Sequence, residues 1–405
     1  MKKTLFIISL RYPLINAINI KLNELHDKQA DIILDDTIRN DSYQLAENLR
    51  KSQIFDNVFF TNPDGYNGLK KFFQNFNITN SFIKACYLRY LFKTNPEAYL
   101  NNIVINGGTI DLSLYDDIYV CSQTKISWIC LNYLTKNNCI KAINLIEEGL
   151  SIYIKNDIIN KYSLLYPNQK IISWLYEPDL LTYENNSKNI KLKKIPKLSI
   201  NNNLLITKLN KIFAYKYVND LNNKIIFFEQ VFEPMPNYLN NKFLKFILFN
   251  TYKKHLKKNK LFIGQLNIIN NLIINLKKHK LLKNFYIKLH PRTQNHTKNL
   301  NPFILGDKVN KTSIPWEIYC LNQKFENNLW ITMYSSSVLN KAICFKEIGN
   351  IKFVFLYKCN TSFHDKAHNL EKFYTKFSKK YHDYIIIPNN LDELNEEINL
   401  ISYNE

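Results

Sequence analysis

A chain of 405 residues exceeds the roughly 250–300 residues that a single core usually supports, so two domains of ordinary size are expected. Hydrophobic residues make up 46% and charged residues 22%, with only 8 Gly and 12 Pro, a balance that excludes a disordered or collagen-like chain. A formal charge of +20 favours an anionic partner: a nucleotide, nucleic acid, acidic glycan or lipid headgroup. Asn, Lys and Ile dominate throughout, the signature of an AT-rich genome, so part of this charge is compositional. Cys86, Cys121, Cys130, Cys139, Cys320, Cys344 and Cys359 form no CxxC pair and no even framework, which suits reduced thiols and gives no zinc pattern.

The chain opens with two lysines and the short apolar run Thr4–Ser9, too brief for a signal peptide, and no stretch reaches the roughly 18 uninterrupted apolar residues of a membrane span. A cytoplasmic protein is therefore expected, with peripheral contact to an anionic inner membrane allowed. Thr4–Ser9 reads as a strand buried on both faces of a parallel sheet, and Ala30–Leu34, Ile118–Cys121 and Ile140–Ile146 repeat the pattern. Ile126–Leu134, between the last two, has helical spacing; strand, helix, strand is the unit of an α/β domain. The polar stretch Glu184–Asn203 lacks apolar periodicity and marks the expected inter-domain region, dividing residues 1–190 from 191–405. Strands are expected again at Lys224–Phe228, Phe285–Leu289, Leu329–Met333, Lys352–Tyr357 and Asp383–Ile387. Leu391–Ile401 is a closing helix, free to pack back on the first domain.

Ligands of open α/β sheets bind outside the carboxyl ends of the strands, so residues directly after the apolar runs carry the candidate chemistry. Ile140–Ile146 runs into Glu147-Glu148-Gly149, two carboxylates and a residue that permits a sharp turn. Neighbouring strand residues point oppositely, so one glutamate can accept a proton from an attacking hydroxyl while the other is structural. The bland alternative is a polar turn after a strand. Phe285–Leu289 leads into His290-Pro291-Arg292, an imidazole and a guanidinium suited to a phosphate leaving group, or else a histidine that only bonds locally. Leu329–Met333 leads into Tyr334 and then Ser335-Ser336-Ser337 before the helical run Val338–Phe345, an anion site or an ordinary helix cap. Together the clusters describe a cleft between two α/β domains.

In this order and spacing, NLIEEGLSIY, YIKLHPRT and MYSSSVL resemble the D/E-D/E-G, HP and serine motifs of the bacterial sialyltransferases of glycosyltransferase families 38, 52 and 80. Ser313–Leu321 (SIPWEIYCL) is similar to a segment of family 52, whereas LIEEG is closer to the polysialyltransferases of family 38. The resemblance covers residues 140–155 and 285–345. It implies a GT-B fold, two Rossmann-like domains facing across a cleft, with CMP-sialic acid as donor and inverting catalysis that needs no metal or other cofactor. It implies Glu147 as general base with Glu148 in support, and His290 as acid or electrostatic stabiliser at the CMP phosphate, beside Pro291 and Arg292. Ser335, Ser336 and Ser337 would hold the phosphate, Gly149 would shape the turn, and Glu317 would bind the ribose. In part of family 52 the base comes from elsewhere, which leaves Glu229 or Glu233 in FFEQVFEP as rivals.

The acceptor expected is a terminal sugar of a bacterial surface glycan, lipid-linked, with lipooligosaccharide first. A capsular polysialyltransferase, or a GT-B transferase of glucose or Kdo, stands as the alternative. A nucleic-acid-binding protein, suggested by Lys/aromatic interleaving at Lys70–Phe76 and Lys372–Tyr381, is remote because no RNP, KH, zinc-finger or helix-turn-helix pattern accompanies it, so no nucleic acid partner is expected. Asn241–Lys260 carries Phe243, Leu244, Ile247 and Leu248 ahead of a lysine run, a basic amphipathic helix for anionic lipid or a core helix with a solvated tail.

Overall fold

The computed structural model describes residues 3–35, 41–61, 90, 94–106, 108–121, 124–137, 139–154, 157–183, 189–217, 221–230, 249–290, 303, 314–359 and 364–402. Pro291, Arg292, Glu233 and the segment 70–76 lie outside these residues, as do the apolar positions 243–248 ahead of the lysine run.

In chain order the elements begin with β1 (Lys3–Ile8), α1 (Arg11–Glu24), β2 (Ala30–Leu34), α2 (Ser42–Lys51), β3 (Val58–Thr61), α3 (Pro96–Ile103) and β4 (Val104–Asn106). They continue with β5 (Tyr115–Val120), α4 (Lys125–Lys136), β6 (Ala142–Ile146), α5 (Ser151–Ile154), α6 (Asp157–Leu165), β7 (Lys170–Leu175), β8 (Ile190–Lys194) and α7 (Asn203–Ile212). Then follow β9 (Ile225–Phe228), α8 (Phe249–Lys278), β10 (Phe285–Lys288), α9 (Trp316–Asn322), β11 (Asn328–Thr332) and α10 (Ser336–Cys344). The chain closes with β12 (Ile351–Phe355), α11 (His364–Lys380), β13 (Ile385–Ile386) and α12 (Leu391–Ser402).

Two parallel α/β sheets result, as the alternation of apolar runs predicts. The first has strand order β4-β3-β2-β1-β5-β6-β7-β8, parallel except where β4 meets β3. The second has the order β10-β9-β11-β12-β13 and is parallel throughout. In each, the chain builds outward on one side of its first strand and then crosses to the other, creating the switch point at which open sheets take ligands: β1/β5 in the first sheet and β9/β11 in the second.

Local chemistry sets the boundaries. Thr124 and Ser127 form a reciprocal capping box at the start of α4, and Asn95 accepts from the Ala98 N–H ahead of Pro96 to start α3. On one face of the second sheet Ile225, Phe227, Ile287 and Ile331 pack with Leu261, Ile268 and Leu272 of α8. The other face is aromatic: Trp330 lies against Phe325 and Phe353, and Phe355 meets Tyr374 of α11 at 4.7 Å.

The chain divides into two compact units, Met1–Lys216 with Ile314–Asn322, and Tyr217–Ser313 with Gln323–Glu405. Sequence pattern puts the division at residue 190, but the polar stretch there contains β8, the edge strand of the first sheet. Its lysines Lys191, Lys193 and Lys194 face outward, and a charged edge strand has no apolar alternation to read. Helix α7 then returns to the same unit, with Asn48 donating to the Ile212 carbonyl and Lys208 to that of Ser52. Helix α9 joins it through a reciprocal amide pair between Asn210 and Asn322. In the closing helix α12, Leu394 and Ile398 enter the core of the second unit. Among the described residues no helix is long and apolar enough to cross a membrane.

Among the described residues Gly108, Gly149 and Gly349 have the positive φ that disfavours side chains. Gly349 has φ +84, and a Cβ there would lie 2.7 Å from the Phe325 carbonyl oxygen, whereas Gly108 at φ +87 has nothing within 4 Å. G349A is therefore expected to lose about 1–3 kcal/mol in chemical denaturation, and G108A only about 1 kcal/mol. Equal losses would show that the Phe325 carbonyl yields freely.

Candidate active site

The carboxyl edge of the first sheet is organised around one buried acid. Strand β6 ends at Ile146, and Glu147 continues its ladder, donating its N–H to the Trp174 carbonyl at 3.0 Å. Its side chain turns inward and has no accessible surface. A carboxylate stripped of water costs several kcal/mol unless donors replace the solvent, and three do so. The Tyr12 hydroxyl donates to Oε1 at 2.9 Å, while the Tyr153 hydroxyl and the Tyr176 N–H, the latter at 2.9 Å, donate to Oε2. These groups come from the first turn of α1, from α5 and from the end of β7. Asn16 completes the ring, donating to the Glu147 carbonyl at 3.0 Å and accepting from the Tyr176 hydroxyl at 2.9 Å.

Burial pushes the Glu147 carboxyl up from its ordinary 4.5 to about 7. The bonds from Tyr153, Tyr176 and Tyr12 pull it back, and the Glu177 carboxylate adds to the rise. Glu177 is itself buried and paired with Lys197 at 2.6 Å. Such a carboxyl exchanges its proton near neutrality, as a general base requires. Glu148 points the other way: it is half-buried, with the Ser151 hydroxyl 3.4 Å from its Oε1. Gly149 has φ +126, so the turn after the motif uses the freedom that glycine alone supplies.

The carboxyl edge of the second sheet gathers different chemistry. Central β9 brings Glu229 between the ends of β10 and β11. The Glu229 N–H donates to the Lys288 carbonyl at 3.0 Å, and its Oε2 accepts the His290 N–H at 3.2 Å, so this glutamate clasps the backbone leaving β10. Buried Gln265 of α8 grips Gln230, its Oε1 accepting the N–H at 2.9 Å and its Nε2 donating to the carbonyl at 3.3 Å. Thr332 donates to the Phe228 carbonyl and accepts the Ser335 N–H, each at 3.0 Å. Ser335 occupies the N-cap position of α10, yet its side chain makes no capping bond. The serine run is therefore not an ordinary hydroxyl cap. Ser336 and Ser337 lie half-buried in the first turn, which holds no acidic residue to compete for an anion.

Thus His290, Glu229 and Ser335–Ser337 share the carboxyl edge of the second sheet, while Glu147, Glu148 and Gly149 share that of the first. Glu317 is buried in α9, a helix of the first unit. Residues missed in the sequence are Tyr12, Asn16, Tyr153, Tyr176, Gln265 and Thr332. Tyr176 directly follows β7, and Tyr12 stands in the first turn of the helix after β1, so the carboxyl-end rule extended to every strand and the turn beyond it would have found them.

No protein-family model and no curated protein matches the chain. Among solved structures, it is similar to an alpha/beta-galactoside alpha-2,3-sialyltransferase from the luminous marine bacterium Photobacterium phosphoreum. That likeness has 12% identity and a TM-score of 0.45, covering 96% of this chain and 99% of the other. A glycosyltransferase from Rickettsia africae ESF-5 is similar at 11% identity and a TM-score of 0.35, covering 99% and 98% respectively.

The raised Glu147 pKa makes a signed prediction. Because the folded chain holds this proton more tightly, the contribution to stability is complete below about pH 4.5 and is lost as pH rises through about 7. E147Q lacks it. Between pH 5 and 8 the unmodified chain should lose up to about 3 kcal/mol relative to E147Q in chemical denaturation; parallel curves would mean the carboxylate is charged throughout.

Proposed function

We propose that the chain is an inverting, metal-independent glycosyltransferase of the GT-B type that moves sialic acid from CMP-sialic acid to a terminal sugar of a bacterial surface glycan. The observation that carries this reading is Glu147: a carboxyl inside the first unit, ringed by three donors and poised near neutral pH, on the motif residue where the sialyltransferase resemblance puts the base. The second unit has the complementary chemistry for the donor. The His290 imidazole, the serine hydroxyls and the N–H groups of Ser336 and Ser337 in the first turn of α10 would meet a phosphate at a switch point of the sheet.

The division of labour follows from the reaction. Sialic acid departs through an oxocarbenium-like state, and a nucleoside phosphate is already a good leaving group, so modest stabilisation of its charge suffices. The acceptor hydroxyl is a poor nucleophile until its proton is removed, and general base assistance is typically worth about 10²–10⁴ in rate. Glu229, the rival base, spends one carboxylate oxygen on the His290 N–H, which favours a role in positioning the HP turn. Glu317, buried in α9, keeps in this reading the ribose role that the family resemblance implies.

Incubation with CMP-sialic acid and a panel of lactose-type, lipooligosaccharide-type and oligosialic acceptors, read by mass spectrometry, tests the assignment. A single added sialyl residue is expected, and a ladder would identify a polymerase. E147Q should lower kcat by about 10²–10⁴ while leaving CMP affinity within a few-fold. An untouched panel, with a different nucleotide sugar consumed, would overturn the donor.

A further inference from the structure

The carboxylate that serves as base in the reading above has no surface of its own, and the inference here rests on that reading. Glu147 is 0% exposed. Of the three groups that donate to it, the Tyr176 N–H and the Tyr153 hydroxyl belong to residues 1% exposed, whereas Tyr12 is half-buried. Tyr12 stands in the first turn of α1, just after β1 and beside the β1/β5 switch point. Its hydroxyl spans from there to Oε1 at the end of β6. Among the described residues, the further charged and titratable groups around this carboxylate include Tyr153, Tyr176, Glu177 in its pair with Lys197, and the outward-turned Glu148.

We propose that Tyr12 is a catalytic residue that meets the acceptor hydroxyl and relays its proton inward to Glu147. In this step the acceptor O–H bond breaks and its proton passes to the Tyr12 phenol oxygen. The phenol proton moves along the existing hydrogen bond to Glu147 Oε1. The acceptor oxygen forms its bond to the anomeric carbon of sialic acid, and the bond from that carbon to the phosphate oxygen breaks, its electron pair leaving with CMP. Tyr12 ends as the neutral phenol and Glu147 as the neutral acid. Return of that proton to solvent through the same phenol resets the site.

The arrangement resolves a conflict between reach and basicity. Full burial raises the proton affinity of Glu147 but bars a bulky glycan from touching it. A phenol in the hydrogen-bonded path keeps both properties, since proton transfer between oxygens about 2.9 Å apart needs no movement of the carboxylate.

The test uses the full chain with CMP-sialic acid and the best acceptor from the panel. Y12F keeps the ring and removes the relay; kcat should fall by at least about 10²-fold with CMP affinity unchanged. The Y12F/E147Q double variant should be no slower than E147Q, because the two residues act as one unit. Y153F, which removes a buried donor that no acceptor can reach, should retain the relay and move the acid limb of the kcat/KM profile upward in pH. Should Y12F fail to fold, the dependence of kcat on deuterium fraction in the unmodified chain decides: a curved dependence shows two protons in flight, and a linear one overturns the relay. Y12F that folds, binds CMP and transfers at close to the unmodified rate also overturns it, while leaving the sialyl-transfer reading intact. No transfer or donor hydrolysis by the unmodified chain defeats that reading and this inference with it.

Discussion

The first unit depends on how it solvates one carboxylate without water. Glu147 sits where an ionised group costs the most, and Tyr12, Tyr153 and the Tyr176 N–H supply what solvent would. These donors come from three separate elements, α1, α5 and the end of β7. The acid therefore cross-links the carboxyl edge of the sheet while that edge tunes the acid. Removing any one donor leaves a buried charge short of a partner, and its proton affinity rises accordingly. Structure and reactivity are in this sense the same set of hydrogen bonds.

The second unit solves the opposite problem. At its carboxyl edge, polar side chains hold the backbone that leaves the strands. Glu229 clasps the turn after β10, Gln265 the turn after β9 and Thr332 the turn after β11. The Ser335 side chain at the cap position makes no bond to the helix it begins. N–H and O–H groups gathered at the start of a helix favour phosphate.

The motif residues were legible because their signals are local. A glycine at φ +126 behind two acids, and serines opening a helix after a buried strand, follow from backbone rules that act over a few residues. The partners of those motifs were not legible. Tyr12 is 135 positions from Glu147, and Gln265 is 35 from Gln230, and no periodicity connects them. The segment 190–194 shows the same limit from the other side. This edge strand exposes Lys191, Lys193 and Lys194, so its composition matches that of a linker, and only the pairing with β7 distinguishes them.

By itself, then, the sequence determined that the chain is α/β, that its sheets are parallel, and which strand ends bear acids, histidine and serines. Those facts follow from burial on both faces of a strand and from turn chemistry, both read over short windows. Only the tertiary structure decided that Glu147 rather than Glu148 turns inward, that α9 with Glu317 belongs to the first unit, and that α12 closes the core of the second. Each of these depends on which distant surface an element finds to bury against. The free energy of that choice comes from excluded water and satisfied polar groups across the fold, and a local pattern does not carry it.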